Sequence, residues 1–226
     1  EARQEAFGLE VARQLGYDFQ RGRLDRAVHP FTTSFGTNDV RITTRYDRNW
    51  LPAALFGTIH ESGHALYEQG SGPSLVGTPL EGGTSLGVEA DEVTYNLHII
   101  IRFELENDLL EGRVKVKDAP EAWNTKYQEY LGLTPPDDAQ GILQDVHWSG
   151  GAIGYFPTYS LGNLMSVPFF EKAVAERPGI PEQIARGEFG DLRDWLRENI
   201  YRHGRKYMPA ELFERVTGGP LSAEPY

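Results

Sequence analysis

Two histidines four residues apart with a glutamate beside the first, His60-Glu61-Ser62-Gly63-His64, are the residues of this chain best suited to chemistry. On a helix, positions i and i+4 share a face, so both imidazoles can reach one metal ion while Glu61 projects next to them. A zinc ion held in this way lowers the pKa of its bound water to about 7, and a carboxylate can then take the proton. Peptide hydrolysis is the usual outcome of that arrangement. The competing reading is a chance pattern on a helix surface, and the flanking sequence bears on which of the two holds.

The segment around the motif is patterned as a helix over 51–67. Leu51, Leu55, Ile59 and Leu66 form an apolar stripe, Asn49 can cap the start, Pro52 suits the first turn and Gly70 supplies a stop. Upstream, Val40, Ile42 and Thr44 alternate with Arg41, Thr43 and Arg45, a strand signal of period two within 35–46 that could wall a substrate cleft. A first helix over 1–15 stops at Gly16. The stretch 71–87, rich in glycine and proline, reads as a loop. Beyond it, Val93, Leu97, Ile100, Ile101, Leu105 and Leu109 give the apolar face of a helix over 89–111, and further helices are expected over 119–131, 158–177, 180–187 and 192–207. The fold class is mainly α with a small β hairpin or short sheet.

With 226 residues, 39% of them hydrophobic, the chain can bury a core as one catalytic domain, 1–226. No apolar run is long enough for a membrane span, and the opening residues lack a signal-peptide layout, which points to a cytoplasmic protein. The absence of cysteine excludes disulfides and thiolate ligands, so a metal here must be held by histidines and carboxylates. A net charge of −11 argues against nucleic acid as a partner. The local cluster Arg202, His203, Arg205 and Lys206 reads as solvated cations near a helix C-terminus.

Four motifs in order, His29-Pro30-Phe31, Asp39-Val40-Arg41-Ile42-Thr43, His60 to His64 and Gly141-Ile142-Leu143-Gln144-Asp145-Val146-His147-Trp148, resemble the signature elements of the M32 metallocarboxypeptidases of the carboxypeptidase Taq type. Nearly the whole chain is similar to the C-terminal, metal-bearing part of that family. The resemblance implies a helical zinc-peptidase fold with the HExxH helix in a groove, zinc (or cobalt in some members), removal of single residues from peptide C-termini and, as in many members, a homodimer. This sequence departs from the family twice. Members are typically longer, and this chain is expected to lack the N-terminal helical half that closes over their groove. The family's third ligand, a glutamate in a His-Glu-Ser motif, should follow Ser85-Leu86-Gly87, but Val88-Glu89-Ala90-Asp91-Glu92 follows instead. That run resembles a later family element normally preceded by Ile-Arg, so Gly87–Val88 reads as two distant segments joined, whether by a real bond or by a closed-up gap.

A catalytic zinc normally has three protein ligands, and Glu89 is the nearest candidate to join His60 and His64, with Glu92 second and Asp91 pointing elsewhere. The alternative is that these acids stabilise a helix N-terminus. Glu61 is then the general base, which passes its proton on to the leaving amine. His147 and Tyr159, with Tyr155 third, are candidates to stabilise the oxyanion, where the family places a His and Tyr pair; plain core aromatics are the other reading. Arg41 could grip the C-terminal carboxylate of a peptide, unless it is an ordinary exposed strand arginine. His29 either lines the same pocket or orders its own turn, while Gln144 and Asp145 could orient a histidine ligand. The expected function is a zinc-dependent metallocarboxypeptidase acting on peptide substrates. The alternative is a catalytically inactive helical fragment that lacks the third ligand and at most binds peptide.

Overall fold

The computed structural model describes residues 1–28, 30–76, 78 and 93–225. It is mainly helical, with a small three-stranded mixed sheet, as the sequence pattern predicts. The chain divides into two compact units, one of 1–86 with 167–225 and one of 87–166.

In the first unit, helix α1 (Ala2–Leu15) ends at Gly16, whose φ of 103° is left-handed and favours glycine. Three strands follow: β1 (Leu24–Arg26), β2 (Thr32–Ser34) and β3 (Val40–Thr44). Central β3 pairs in parallel with β1, Leu24 opposite Ile42, and antiparallel with β2, Thr32 opposite Ile42. The connection into β1 is tight, since a Cβ at Gly22 would sit 1.8 Å from the Val40 carbonyl oxygen. Val40 and Ile42 are fully buried and join Ala12, Tyr17 and Ala65 in one core cluster. The Tyr17 hydroxyl donates to the Val40 carbonyl at 2.5 Å, so the core aromatic also secures the central strand.

Helix α2 (Leu51–Gln69) carries the His60–His64 motif, and its buried face differs from the expected stripe. Leu51 and Ile59 are exposed, whereas Ala54, Thr58, Glu61, Ala65 and Glu68 are buried. The period is helical, but the phase is set by close approach of α1 and β3. Small and hydrogen-bonded residues fit there: Gly8 of α1 lies where a Cβ would be 3.4 Å from Thr58 Oγ1, and Thr44 Oγ1 donates to the Ala54 carbonyl at 3.2 Å. The helix starts after Trp50 with no side-chain cap, so Asn49 does not serve as one. Gly70 ends it with a right-handed φ of −87°; glycine is needed for space, because a Cβ would come within 2.8 Å of the Tyr201 ring.

The rest of this unit contains part of α5 (Pro157–Glu176, which runs through the division of the units), α6 (Ile180–Ala185), α7 (Gly190–Asn199) and α8 (Pro209–Thr217). Ala173, Ile180 and Trp195 form its second core cluster, and Trp195 Nε1 donates to Glu176 at 2.7 Å. The helix expected over 192–207 stops at Asn199; a 3-10 turn, Tyr201–His203, and Gly204 at φ 50° follow. Arg202, His203, Arg205 and Lys206 therefore lie on that turn and the segment after it, not on a helix end.

The second unit is built on α3 (Tyr95–Leu110) and α4 (Ala119–Leu131), which pack together. Ile99, Ile101 and Leu105 are buried, while Val93 and Ile100, both expected on the apolar face, are exposed. Two charged residues, Arg102 and Glu106, occupy the buried face instead, with 7% and 4% exposure. Among the described residues, no helix is long and apolar enough to cross a membrane.

Candidate active site

Each of the two units carries one candidate histidine group. In the first, α2 places His60 and His64 on one face with their Nε2 atoms 3.1 Å apart. Two nitrogens each about 2.0–2.1 Å from one tetrahedral zinc lie about 3.3–3.4 Å apart, so the pair converges as a shared metal requires. Burial, aided by the neighbouring His60, pushes the His64 pKa down to about 4, which keeps the imidazole neutral and able to coordinate. Among the described residues no third His, Cys, Asp or Glu completes a metal-binding group. Glu89, Asp91 and Glu92 lie outside the described residues, as does His29. Two imidazoles and no thiolate fit a catalytic type of zinc site that needs one further ligand.

Glu61 is buried on α2, with 5% exposure. Thr32 of β2 holds it: Thr32 Oγ1 lies 2.5 Å from Glu61 Oε2 and 3.1 Å from the Glu61 carbonyl oxygen. The sheet therefore orients the candidate base. Thr32 was missed by sequence reasoning, although it directly follows the His29-Pro30-Phe31 motif. The fork of Arg41 closes on Asp39, Nε at 2.8 Å and Nη2 at 2.7 Å from its two carboxylate oxygens, and lies 5.0 Å over the Phe35 ring. A peptide carboxylate gripped by Arg41 would have to share or displace Asp39.

In the second unit, His147 is buried at 2% exposure and sits between two partners. Its Nδ1 is 2.8 Å from Asp145 Oδ1, and its Nε2 is 2.8 Å from the Tyr159 hydroxyl. Asp145 also accepts from the His147 backbone N–H at 2.9 Å and from Arg102 Nε at 2.5 Å. Burial alone would raise the Asp145 pKa; hydrogen bonds from His147 and Arg102 and the Arg102 charge outweigh it and leave the carboxyl below its usual range. Ionised Asp145 can only accept, so His147 Nδ1–H donates to it and Nε2 is left facing the Tyr159 hydroxyl. Burial pushes the Tyr159 pKa upward and keeps the phenol protonated.

Arg102 and Glu106, one turn apart on α3, are the supports that sequence reasoning missed; charged residues within an apolar helical face were the available signal. Arg102 donates to the His98 carbonyl at 2.8 Å and stacks over Trp123, 4.8 Å from its centre. Glu106 accepts from Trp148 Nε1 at 2.8 Å and from the Gly154 backbone N–H at 2.7 Å. It thereby fixes the turn that leads into α5, where Gly151 and Gly154 adopt φ of 76° and 74°. Tyr155 meets Tyr159 edge-on at 5.3 Å and Phe156 packs on His147 at 4.8 Å. Gln144 is exposed and donates to the Ala139 carbonyl, apart from His147; Asp145 alone of that pair orients a histidine.

The carboxypeptidase Taq (M32) metallopeptidase family matches residues 1–89 and again 86–226, two stretches that meet around Gly87. Thermostable carboxypeptidase 1 of Thermus thermophilus is 42% identical over 278 residues, which cover 99% of this chain and 54% of the relative. Carboxypeptidase 1 of Bacillus subtilis is 39% identical over 276 residues, covering 97% and 55%. The crystal structure of the M32 carboxypeptidase from Deinococcus radiodurans matches with a TM-score of 0.91 at 42% identity, over 100% of this chain and 57% of that one. The chain spans about half the length of the curated relatives it matches. The first alignment is also longer than this chain's 226 residues, so the relative carries residues with no counterpart here. With both stretches matched in order and the same fold beneath them, the chain belongs to the carboxypeptidase Taq (M32) metallopeptidase family.

Proposed function

We propose that this chain carries the metal-holding and proton-handling residues of a metallocarboxypeptidase that removes single residues from peptide C-termini. The convergence of His60 Nε2 and His64 Nε2 at 3.1 Å, on the helix that also presents Glu61, is the observation that carries the proposal. Zinc is the metal best suited to the two imidazoles, with cobalt as the alternative; when bound it supplies Lewis acidity toward the scissile carbonyl and acidifies water. Glu61, held by Thr32, accepts the proton of the attacking water and delivers it to the leaving amine. Tyr159, kept protonated by burial, is the hydrogen-bond donor for developing negative charge. Its proton is shared with His147 Nε2, so His147 governs when that donor is free. Arg41 is the group on this chain suited to a C-terminal carboxylate, competing with Asp39 for it.

The test is release of the C-terminal amino acid from a blocked dipeptide by the chain loaded with zinc or cobalt. No release at any metal loading defeats the proposal.

The two-part family match around Gly87 favours a second reading, in which a ligand-bearing segment is absent and the chain binds peptide without turning it over. Zinc titration of Glu89→Ala separates the two. If Glu89 is the third ligand, zinc affinity falls by about 10-fold or more with the 1:1 stoichiometry otherwise intact. If zinc binds weakly to the unsubstituted chain and equally weakly to the variant, the inactive reading holds.

A further inference from the structure

At the C-terminal end of α2, beyond the motif and within the first unit, lies a cavity of about 480 Å³ lined by Arg21, Thr37, Asn38, Gln69, Ser71 and Arg197 among others. Among the described residues its lining contains two guanidiniums and no carboxylate, in a chain of net charge −11. Neither arginine forms an ion pair among the described residues.

Arg21 is held in place by neutral acceptors: Nε donates to Asn38 Oδ1 at 3.1 Å, Nη1 to the Gln69 carbonyl at 2.9 Å and Nη2 to the Thr37 carbonyl at 2.6 Å. Those bonds fix its geometry and leave its charge uncompensated, with two of its five N–H groups free to donate. Gln69 locks the same corner, its amide accepting from the Asp18 N–H and donating to the Asp18 carbonyl, both at 3.0 Å. Arg197 is exposed on α7.

Ser71 supplies the independent sign. It is only 7% exposed, yet its Oγ has no hydrogen-bond partner. Its position is rigid because the glycines on either side admit the Tyr201–His203 turn: a Cβ at Gly70 would lie 2.8 Å from the Tyr201 ring, and one at Gly72 would lie 2.7 Å from the Arg202 carbonyl oxygen. A buried hydroxyl left unpaired is unfavourable, and a ligand oxygen in the cavity removes the defect.

We propose that this cavity binds a dianionic oxyanion of the phosphate class, either free phosphate or the phosphate group of a small metabolite, at a site separate from His60 and His64. Two guanidiniums match two negative charges, and their planar forks suit tetrahedral oxygens. The volume exceeds that of a bare ion and lies within the range of small-molecule sites.

The experiment is phosphate titration of the metal-free chain, kept in chelator so that phosphate cannot report on a bound metal, followed by calorimetry and by thermal melting against sodium chloride of equal ionic strength. Phosphate and sulfate are expected to bind at one site and raise the melting temperature, with acetate and chloride much weaker. Arg197→Met, an exposed position whose loss should not disturb folding, is expected to weaken phosphate by about tenfold or more, and Ser71→Ala to weaken it severalfold. Tighter binding of glycerol phosphate than of phosphate identifies a metabolite as the source; equal binding identifies the free ion. Equal stabilisation by chloride, or an unchanged phosphate affinity in Arg197→Met, overturns the proposal.

Discussion

The His60–Glu61–His64 group of the first unit and the Arg102–Asp145–His147–Tyr159 group of the second are both histidine sites, built on opposite plans. In the first, two imidazole nitrogens face each other at 3.1 Å, and among the described residues no third ligand stands beside them. In the second, the four side chains are linked in one chain within the unit, from Arg102 Nε at 2.5 Å from Asp145 to Tyr159 at 2.8 Å from His147. Among the described residues the first group is a pair without a third ligand. The other is linked through its own hydrogen bonds before any substrate arrives.

The difference predicts different responses to substitution. The largest is expected at the junction of the two roles within α2. Glu61→Gln keeps the size and the Thr32 contact but cannot accept a proton, so hydrolysis of a blocked dipeptide should fall by about 10²–10⁴-fold. Zinc content, measured by atomic absorption, should stay at that of the unsubstituted chain. Loss of zinc along with activity would mean that Glu61 helps to hold the metal, and the contrast between a ligand pair and a separate base would collapse.

In the second group the first effect of a substitution should be on stability. Arg102→Met leaves Asp145 buried with its principal cation gone, and breaking a buried pair from one side costs about 3–5 kcal/mol. The sign with pH follows from Asp145, whose folded pKa is lowered. Its stabilisation is fully present above the unfolded value of about 3.9 and is lost as pH falls through the folded value. Without Arg102 the folded value rises, so the acid-unfolding midpoint of Arg102→Met should move to higher pH. An unchanged midpoint, followed by circular dichroism, would show that His147 alone holds the carboxylate.

The contrast also explains what could be read from the sequence. The motif helix, central strand β3 and helix α4 were legible because each follows from local period and nearby stop signals; α4 runs over the expected residues, Ala119–Leu131. His147 and Tyr159, singled out together through the family resemblance, meet twelve positions apart across one glycine-rich turn. The supports were not legible. Thr32 reaches Glu61 across 29 positions and Arg102 reaches Asp145 across 43, and no local pattern encodes such contacts. The same cause misled the reading of α2, where the helical period was right but its phase was decided by what α1 and β3 could admit. Strands β1 and β2, three residues each, are strands only through pairing with β3. Helix α8 was overlooked because the apolar pattern was carried through to 207, past the break at Gly204 and short of Pro209.

Thr32→Val tests the remaining link, the sheet's hold on the base, and the expected effect is the smallest. Valine keeps the shape and, being β-branched, the strand preference, but removes the hydroxyl that lies 2.5 Å from Glu61 Oε2. The buried carboxylate then loses one donor, a cost of about 1–3 kcal/mol. Because ionised Glu61 is the form disfavoured by that loss, its pKa should rise in the variant, and the acidic limb of the pH–rate profile should move to higher pH. Zinc affinity should be untouched, since His60 and His64 take no support from Thr32. A shifted acidic limb with unchanged zinc binding would establish that the small sheet serves the proton and not the metal, whereas a fall in zinc affinity alone would place the strand among the supports of the histidine pair.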